Sequence, residues 1–500
     1  MNGKFEELKH RLAEVVDLYR VGHLLDWDQQ VVMPPRAAAL RAEQSATLER
    51  LTHERFTSSE IGRLLEDLRP YEESLEADSD EASLIRVARR DWEKACKIPS
   101  ELRGEMAQAA ATALPAWVQA RESSDFDSFL PHLKRNFELK LRYIECFDGS
   151  GSAYDILLDD FEQGMKTEEV RVVFEELKRE LVPLIAEAKA NPVDDSALQG
   201  DFPVDAQRKL NLFVLERVGW NPDSWRLDEI VHPAAYSFGT TDVRITTRYA
   251  DDGLESLFST LHEFGHGLYE RQIDPALERT PLCTGVSLGI HESQSRMWEN
   301  LVGRGLPFLR WLYPRLQREF PEQLGALEVD EFYRAVNKIQ PSLIRVDADQ
   351  VTYNLHIILR FELEQEILGG SVALDELPGA WAARMEEYLG IEVPDDRRGV
   401  LQDVHWSGGG FGYFPTYSLG NVISLQMWER VREAIPDLDD QFEQGEFGAL
   451  RDWLRENVHR HGSKFTPQET LKRATGSHLD ASPYLRYLKE KVSELSGAAA

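Results

Sequence analysis

A mainly α-helical fold with one small β-sheet is what this 500-residue chain predicts, and three observations carry that expectation. Apolar residues recur at three- and four-residue spacing along most of the length, the period of a helix with one buried face. Alternation at period two is confined to a single stretch, Tyr236–Tyr249. No Gly/Ser linker, low-complexity tract or internal repeat divides the sequence, so a single large domain over residues 1–500 is expected where length alone would suggest several.

The first helix is read from Phe5, Leu8, Leu12, Val15 and Tyr19 within Met1–Leu25. Met33-Pro34-Pro35 breaks it, and an Ala- and Glu-rich helix follows over Arg36–Phe56. Further helices are expected over Asp80–Lys97, Ser100–Glu122 with Ser100 as N-cap, Asp127–Phe147 and Thr167–Ala190, the last ending before Asn191-Pro192. Asp148–Ser152 reads as a short loop. In the strand stretch, Val243, Ile245 and Thr247 alternate with Asp242, Arg244 and Thr246, which predicts a small sheet just before the next helix, Gly253–Gln272. Such a sheet can offer its edge to an extended peptide or simply buttress the helix. Helices resume at His291, Asp330–Lys338, Asp347–Leu368, Leu374–Tyr388 and Val422–Glu433. Between the last two, Ser407–Gly412 and the aromatic run Tyr413–Tyr417 read as a loop able to move beside a site. It lacks the Lys-Ser/Thr of a phosphate-binding loop.

Composition narrows the function. Hydrophobic residues at 42% suffice for a large core, and 57 basic against 87 acidic side chains give a net charge of −30. That field repels nucleic-acid backbones and anionic membrane surfaces, so neither is an expected partner. Cys96, Cys146 and Cys283 show no CxxC spacing, the N-terminus has no signal-peptide core, and no apolar run is long enough to span a bilayer. A cytoplasmic location is expected.

Chemistry concentrates in His262-Glu263-Phe264-Gly265-His266. On a helix, HExxH sets two imidazoles one turn apart on the same face with a carboxylate beside them. Two neutral imidazoles suit Zn²⁺, whose catalytic sites take three protein ligands and keep one position for water; Glu263 would flank that water as general base. The third ligand lies in His291-Glu292-Ser293-Gln294, where Glu292 and His291 compete on chemistry alone.

Six ordered segments then mark a resemblance. His232-Pro233 stands for HPF with Ala234 in place of the aromatic, Asp242–Thr246 for DxRxT, His262–His266 for HExxH, and His291–Gln294 for HESQ. Ile344–Asp349 stands for IRxxAD, and Gly399–Trp406 for GxxQDxHW. The chain resembles the carboxypeptidase Taq family of metallocarboxypeptidases over nearly its whole length.

The resemblance implies an exopeptidase that removes single residues from peptide C-termini, with His262, His266 and Glu292 as metal ligands and Glu263 as base. It implies long helices walling a deep substrate groove with the metal at its floor, and a metal-site core over about residues 230–420. It also implies a homodimer, Co²⁺ as an alternative to Zn²⁺, and broad specificity with proline disfavoured. The developing oxyanion needs a donor from another element. Tyr417, which the resemblance favours, His405 and Tyr413 are the candidates. A fixed cation must hold the terminal carboxylate: Arg345, in a matching segment, is preferred over Arg244. Asp242, Asp349 and Asp403 are candidates to orient the metal-bound imidazoles, or to cap helices and pair with arginines instead. Two rivals stand beside this reading: a zinc oligoendopeptidase on the same site, and a non-catalytic helical peptide-binding protein with a structural metal.

Overall fold

Helix-length amphipathic segments with few interior breakers leave the chain little alternative to packing helix on helix. In the computed structural model, which describes residues 2–147 and 151–496, helices do dominate and one three-stranded sheet sits beside the HExxH helix. Most of the loop expected at Asp148–Ser152 lies outside the described residues; Ser152 itself caps a short helix, Ala153–Leu158, accepting from the amide of Asp155 at 3.2 Å.

The sheet is mixed. β1 (Trp225–Glu229) runs parallel to β3 (Val243–Thr247), and β2 (Ala235–Ser237) runs antiparallel to β3 on its other side. The expected Tyr236–Tyr249 strand is thus two strands and a turn, and β1, which lies outside that stretch, joins them. β3 is central and buries Val243, Ile245, Thr246 and Thr247. The HExxH helix, Glu255–Arg271, lies against it, tied by the Thr247 and Ser259 hydroxyls 3.0 Å apart. A helix absent from the sequence reading, Val204–Val218, supports it from behind: the buried Asn211 amide donates to Ser256 O and Thr260 Oγ1.

One large apolar core runs from the helices after residue 98 through this centre to the C-terminus. A second, smaller one joins Phe5, Leu8 and Leu12 of the first helix, Asn2–Val31, to Ile61, Leu65 and Ile85 and to Ile273, Leu277 and Leu282 just beyond the HExxH helix. The N-terminal helices therefore lean on the metal-site region through its C-terminal flank.

Several boundaries differ from expectation for identifiable reasons. Ser100 is the first helical residue, not the N-cap, because Pro99 holds the extended position before it. The helix expected from Asp347 starts at Tyr353; Asp349 accepts from the amides of Val351 and Thr352 and caps it. The helix expected from Val422 starts at Pro415, whose fixed φ suits a first turn. That change moves Tyr417 from a loop onto a helix.

Candidate metal centre

Two helices face each other across the centre. Gly265, inside the HExxH motif, lets them touch: a Cβ there would lie 2.5 Å from the carbonyl oxygen of Gln294, which is backbone and cannot swing away. The second helix, Leu288–Arg296, starts at Ser287, whose hydroxyl accepts from the amide of Ile290, and continues as π-helical turns over Met297–Gly303. It carries His291, Glu292, Arg296 and Glu299, and π-turns of this kind recur at functional sites. On its far side Gly420, in the Pro415–Ala434 helix, passes so near Glu292 that a Cβ would lie 2.6 Å from its side chain.

This packing brings His262, His266 and Glu292 together, with one donor atom from each within 4.8 Å of the others. Oε2 of Glu292 lies 3.6 Å from Nε2 of His262 and 3.4 Å from Nε2 of His266. Those spacings match the edge of a tetrahedron with roughly 2.1 Å bonds, about 3.4 Å. Both imidazoles stay about a fifth exposed, 18% and 19%, so the centre opens to solvent on one side. No cysteine joins it.

Hydrogen bonding leaves the right nitrogens free. Nδ1 of His262 donates to Glu299 Oε2 at 2.8 Å. Nδ1 of His266 lies 2.8 Å from Nδ1 of His291, whose Nε2 lies 2.8 Å from Glu270 Oε1. Glu270 can only accept, so His291 donates to it from Nε2 and accepts from His266 at Nδ1. Both His262 and His266 are thereby assigned the tautomer whose Nε2 lone pair points at the centre. His291, a rival ligand on chemistry alone, hydrogen-bonds His266 and stays outside the three-donor cluster. The aspartates considered for that orienting role act elsewhere: Asp242 pairs with Arg244, Asp349 caps its helix, and Asp403 pairs with Arg345 and Arg360. Glu299, His291 with Glu270, and Arg296 were missed, yet Glu292, Arg296 and Glu299 recur at helical spacing and that pattern was there to be read.

Electrostatics follows burial and pairing. Burial alone would raise the Glu292 carboxyl, but the Arg296 guanidinium and the two imidazoles hold it well below the usual carboxylate range. Nε of Arg296 donates to Glu292 Oε1 at 2.7 Å and Nη1 to Glu299 Oε2 at 3.2 Å, so one cation steadies both acids. Glu263 has no such cation in contact. Burial pushes its carboxyl up to about 7, with Glu292 and Glu299 adding to the rise. Burial also lowers His266 to about 4, which keeps it neutral.

A second cluster adjoins the centre. Tyr417 lies one turn before Gly420, and its hydroxyl is 3.1 Å from Nε2 of His405. The Tyr413 ring packs on both, 5.3 Å from Tyr417 and 5.0 Å from His405. Arg345 is buried at 4.9 Å from the Tyr417 ring, donates from Nε and Nη2 to Asp403 Oδ1 and from Nη1 to Tyr353 OH. The Tyr353 ring in turn lies 4.5 Å from Arg296, which links Arg345 to Glu292. Arg244 is placed apart: it gives Nε and Nη2 to Asp242 and lies between the rings of Trp27 and Phe238 at 4.2 and 4.8 Å.

The family profile described as Carboxypeptidase Taq (M32) metallopeptidase matches residues 7–492. The chain belongs to the carboxypeptidase Taq family. It is similar to thermostable carboxypeptidase 1 of Thermus thermophilus, 40% identical over 99% of each chain, and to carboxypeptidase 1 of Bacillus subtilis, 38% identical over 96% of this chain and 97% of that one. Among solved structures, the M32 carboxypeptidase from Deinococcus radiodurans R1 superposes with a TM-score of 0.95 at 41% identity, covering 99% of this chain and 100% of that one. As a carboxypeptidase Taq protein, this chain is a metallocarboxypeptidase acting on peptides, and the mainly helical fold expected from its sequence is the family's fold. No helix among its described residues is long and apolar enough to cross a membrane.

Proposed function

We propose that this carboxypeptidase Taq enzyme hydrolyses single residues from free peptide C-termini around one Zn²⁺ ion, with Co²⁺ able to substitute, held by His262, His266 and Glu292. The observation that carries this reading is the convergence of those three donors within 4.8 Å of one another, with Glu292 Oε2 at 3.6 and 3.4 Å from the two Nε2 atoms and each imidazole fixed in the required tautomer. Two neutral nitrogens and one carboxylate are the donor set of a catalytic site; a structural site would fill its fourth position with protein, commonly cysteine. When bound, the cation supplies a Lewis acid that polarises the scissile carbonyl and acidifies water.

The protein's own groups perform the rest. Glu263, buried and free of any cation in direct contact, takes the proton of the attacking water and returns it to the leaving nitrogen. Burial raises Tyr417 well above its ordinary range, so its O–H stays protonated and donates to the oxyanion. His405, kept neutral at about 4 by burial, sits within reach of the Tyr417 hydroxyl and fixes its direction. Tyr413 lines the same wall. Arg345 binds the terminal carboxylate: Asp403 takes the Nε–Nη2 edge of its guanidinium and Tyr353 one N–H of Nη1, so that Nη1 and Nη2 each keep a second N–H. Arg244 is the alternative, with its guanidinium already engaged by Asp242.

The whole chain acts as one domain, with the site between about residues 230 and 420, in the cytoplasm, as a homodimer. Its specificity at the terminal residue is broad, with proline disfavoured. Three free thiols, Cys96, Cys146 and Cys283, fit a reducing compartment. One comparison tests the exopeptidase reading: a peptide with a free C-terminus should shorten one residue at a time by mass spectrometry, while its C-terminally amidated twin resists. Internal cleavage of the amidated peptide would instead establish an oligoendopeptidase.

A further inference from the structure

Glu364 lies in the Tyr353–Gly369 helix, fully buried, with no lysine or arginine in contact with its carboxylate. An isolated buried carboxylate is costly unless it is fully hydrogen-bonded, and Glu364 is. Oε1 accepts from the Trp406 indole N–H at 2.7 Å; Oε2 accepts from the Gly412 amide at 2.9 Å and from the Tyr154 hydroxyl at 2.7 Å. Two of those donors are the neighbours in sequence of His405 and Tyr413. A single carboxylate thus pins both ends of the Gly-rich loop. Asn136, also buried, holds the start of the loop a second time by donating to the carbonyls of Trp406 and Ser407 at 3.0 and 2.8 Å. Trp406 stacks on Phe411 within the loop, 6.2 Å between centroids at 15°. The segment that reads from sequence as a mobile loop is anchored from inside the core.

We propose that Glu364 is a positioning residue for catalysis: it sets where His405 and Tyr413 stand relative to Tyr417 and so aligns the oxyanion donor. The inference rests on the reading of Tyr417 and His405 given above. Displacing a reacting group by about 1 Å can cost on the order of 10²-fold in rate, and the 3.1 Å contact between His405 and Tyr417 has no slack for such a shift.

Three variants of the full-length, metal-loaded enzyme test it. Glu364→Gln cannot accept at both oxygens, and Trp406→Phe removes the donor beside His405. Tyr154→Phe removes the one donor that does not belong to the loop. Expected are a fall in kcat on the order of 10²-fold for Glu364→Gln and at least about tenfold for Trp406→Phe, KM and metal content within a few-fold of wild type, and faster hydrogen exchange over residues 405–413. Tyr154→Phe should lose some thermal stability and keep kcat and loop exchange. Should Glu364→Gln fail to fold, Trp406→Phe set against Tyr154→Phe decides. Wild-type kcat in either loop variant, or equal losses in all three, would overturn the proposal by showing a merely structural carboxylate. The exchange measurement needs no turnover, so a wild-type protein without carboxypeptidase activity would refute the functional reading while exchange still judges the anchor.

Discussion

Glu263 and the imidazole partners are the residues on which the chemistry turns. On the proposed mechanism Glu263, buried beside two other acids, transfers the proton and does not hold the cation. Glu263→Gln should therefore keep metal content near wild type while kcat falls by about 10²–10⁴, read by metal analysis alongside turnover. The His266–His291–Glu270 chain predicts a different loss. His291→Ala leaves all three ligands in place but frees the His266 ring, and chelator competition should show metal affinity weakened by about 10–100-fold. At this scale the three-donor cluster was legible in the sequence because HExxH has a fixed helical period and the resemblance chose Glu292 over His291. The orienting groups were less so. Glu270 reaches His291 across 21 residues and Glu299 reaches His262 across 37, and helical spacing within one element does not reveal which residue of another element it will meet. The aspartates of the conspicuous motifs cap a helix or pair with arginines instead.

Among elements, the crossing of the HExxH helix with Leu288–Arg296 fixes the spacing of the ligands. Gly265→Ala would drive a methyl into backbone that cannot rotate aside. Denaturation should show a loss of about 1–3 kcal/mol, together with weaker metal binding. The same ligand-bearing helix is held at its start by Glu162, a fully buried carboxylate that accepts from Ser287 Oγ and the Gly289 amide, both at 2.9 Å. Burial pushes Glu162 up to about 7. Its unfolded value is near 4.3, so the folded form holds its proton longer. Stability from this group is complete below about pH 4 and is lost as pH rises toward 7. Relative to wild type, Glu162→Gln should gain up to about 3 kcal/mol across that window and nothing further above it, measured by urea unfolding at stepped pH. A flat difference would mean Glu162 is ionised throughout. The long periodic helices were legible for the reason that they bury one face. The β1 strand was not, since its partner is a parallel strand 18 residues away and Trp225–Glu229 is too short, with only Trp225 and Leu227 apolar, to stand out by alternation. Pro415 was a readable start signal for the helix bearing Tyr417, but the preceding glycines and aromatics resembled a loop.

Over the whole molecule, two apolar cores meet near the C-terminal end of the HExxH helix, and the centre lies where the sheet, the crossing helices and the anchored loop converge. The absence of linkers and repeats made one domain legible, while the arrangement of helices around the site depends on long-range packing that local periodicity does not encode. Every step of the account needs one cation held by two imidazoles and the Glu292 carboxylate. The most direct measurement is metal stoichiometry by elemental analysis of the purified wild type beside Glu292→Ala and Glu263→Gln. One equivalent is predicted in the wild type and in Glu263→Gln, with near-complete loss in Glu292→Ala. A full equivalent retained in Glu292→Ala would contradict the assigned ligand set.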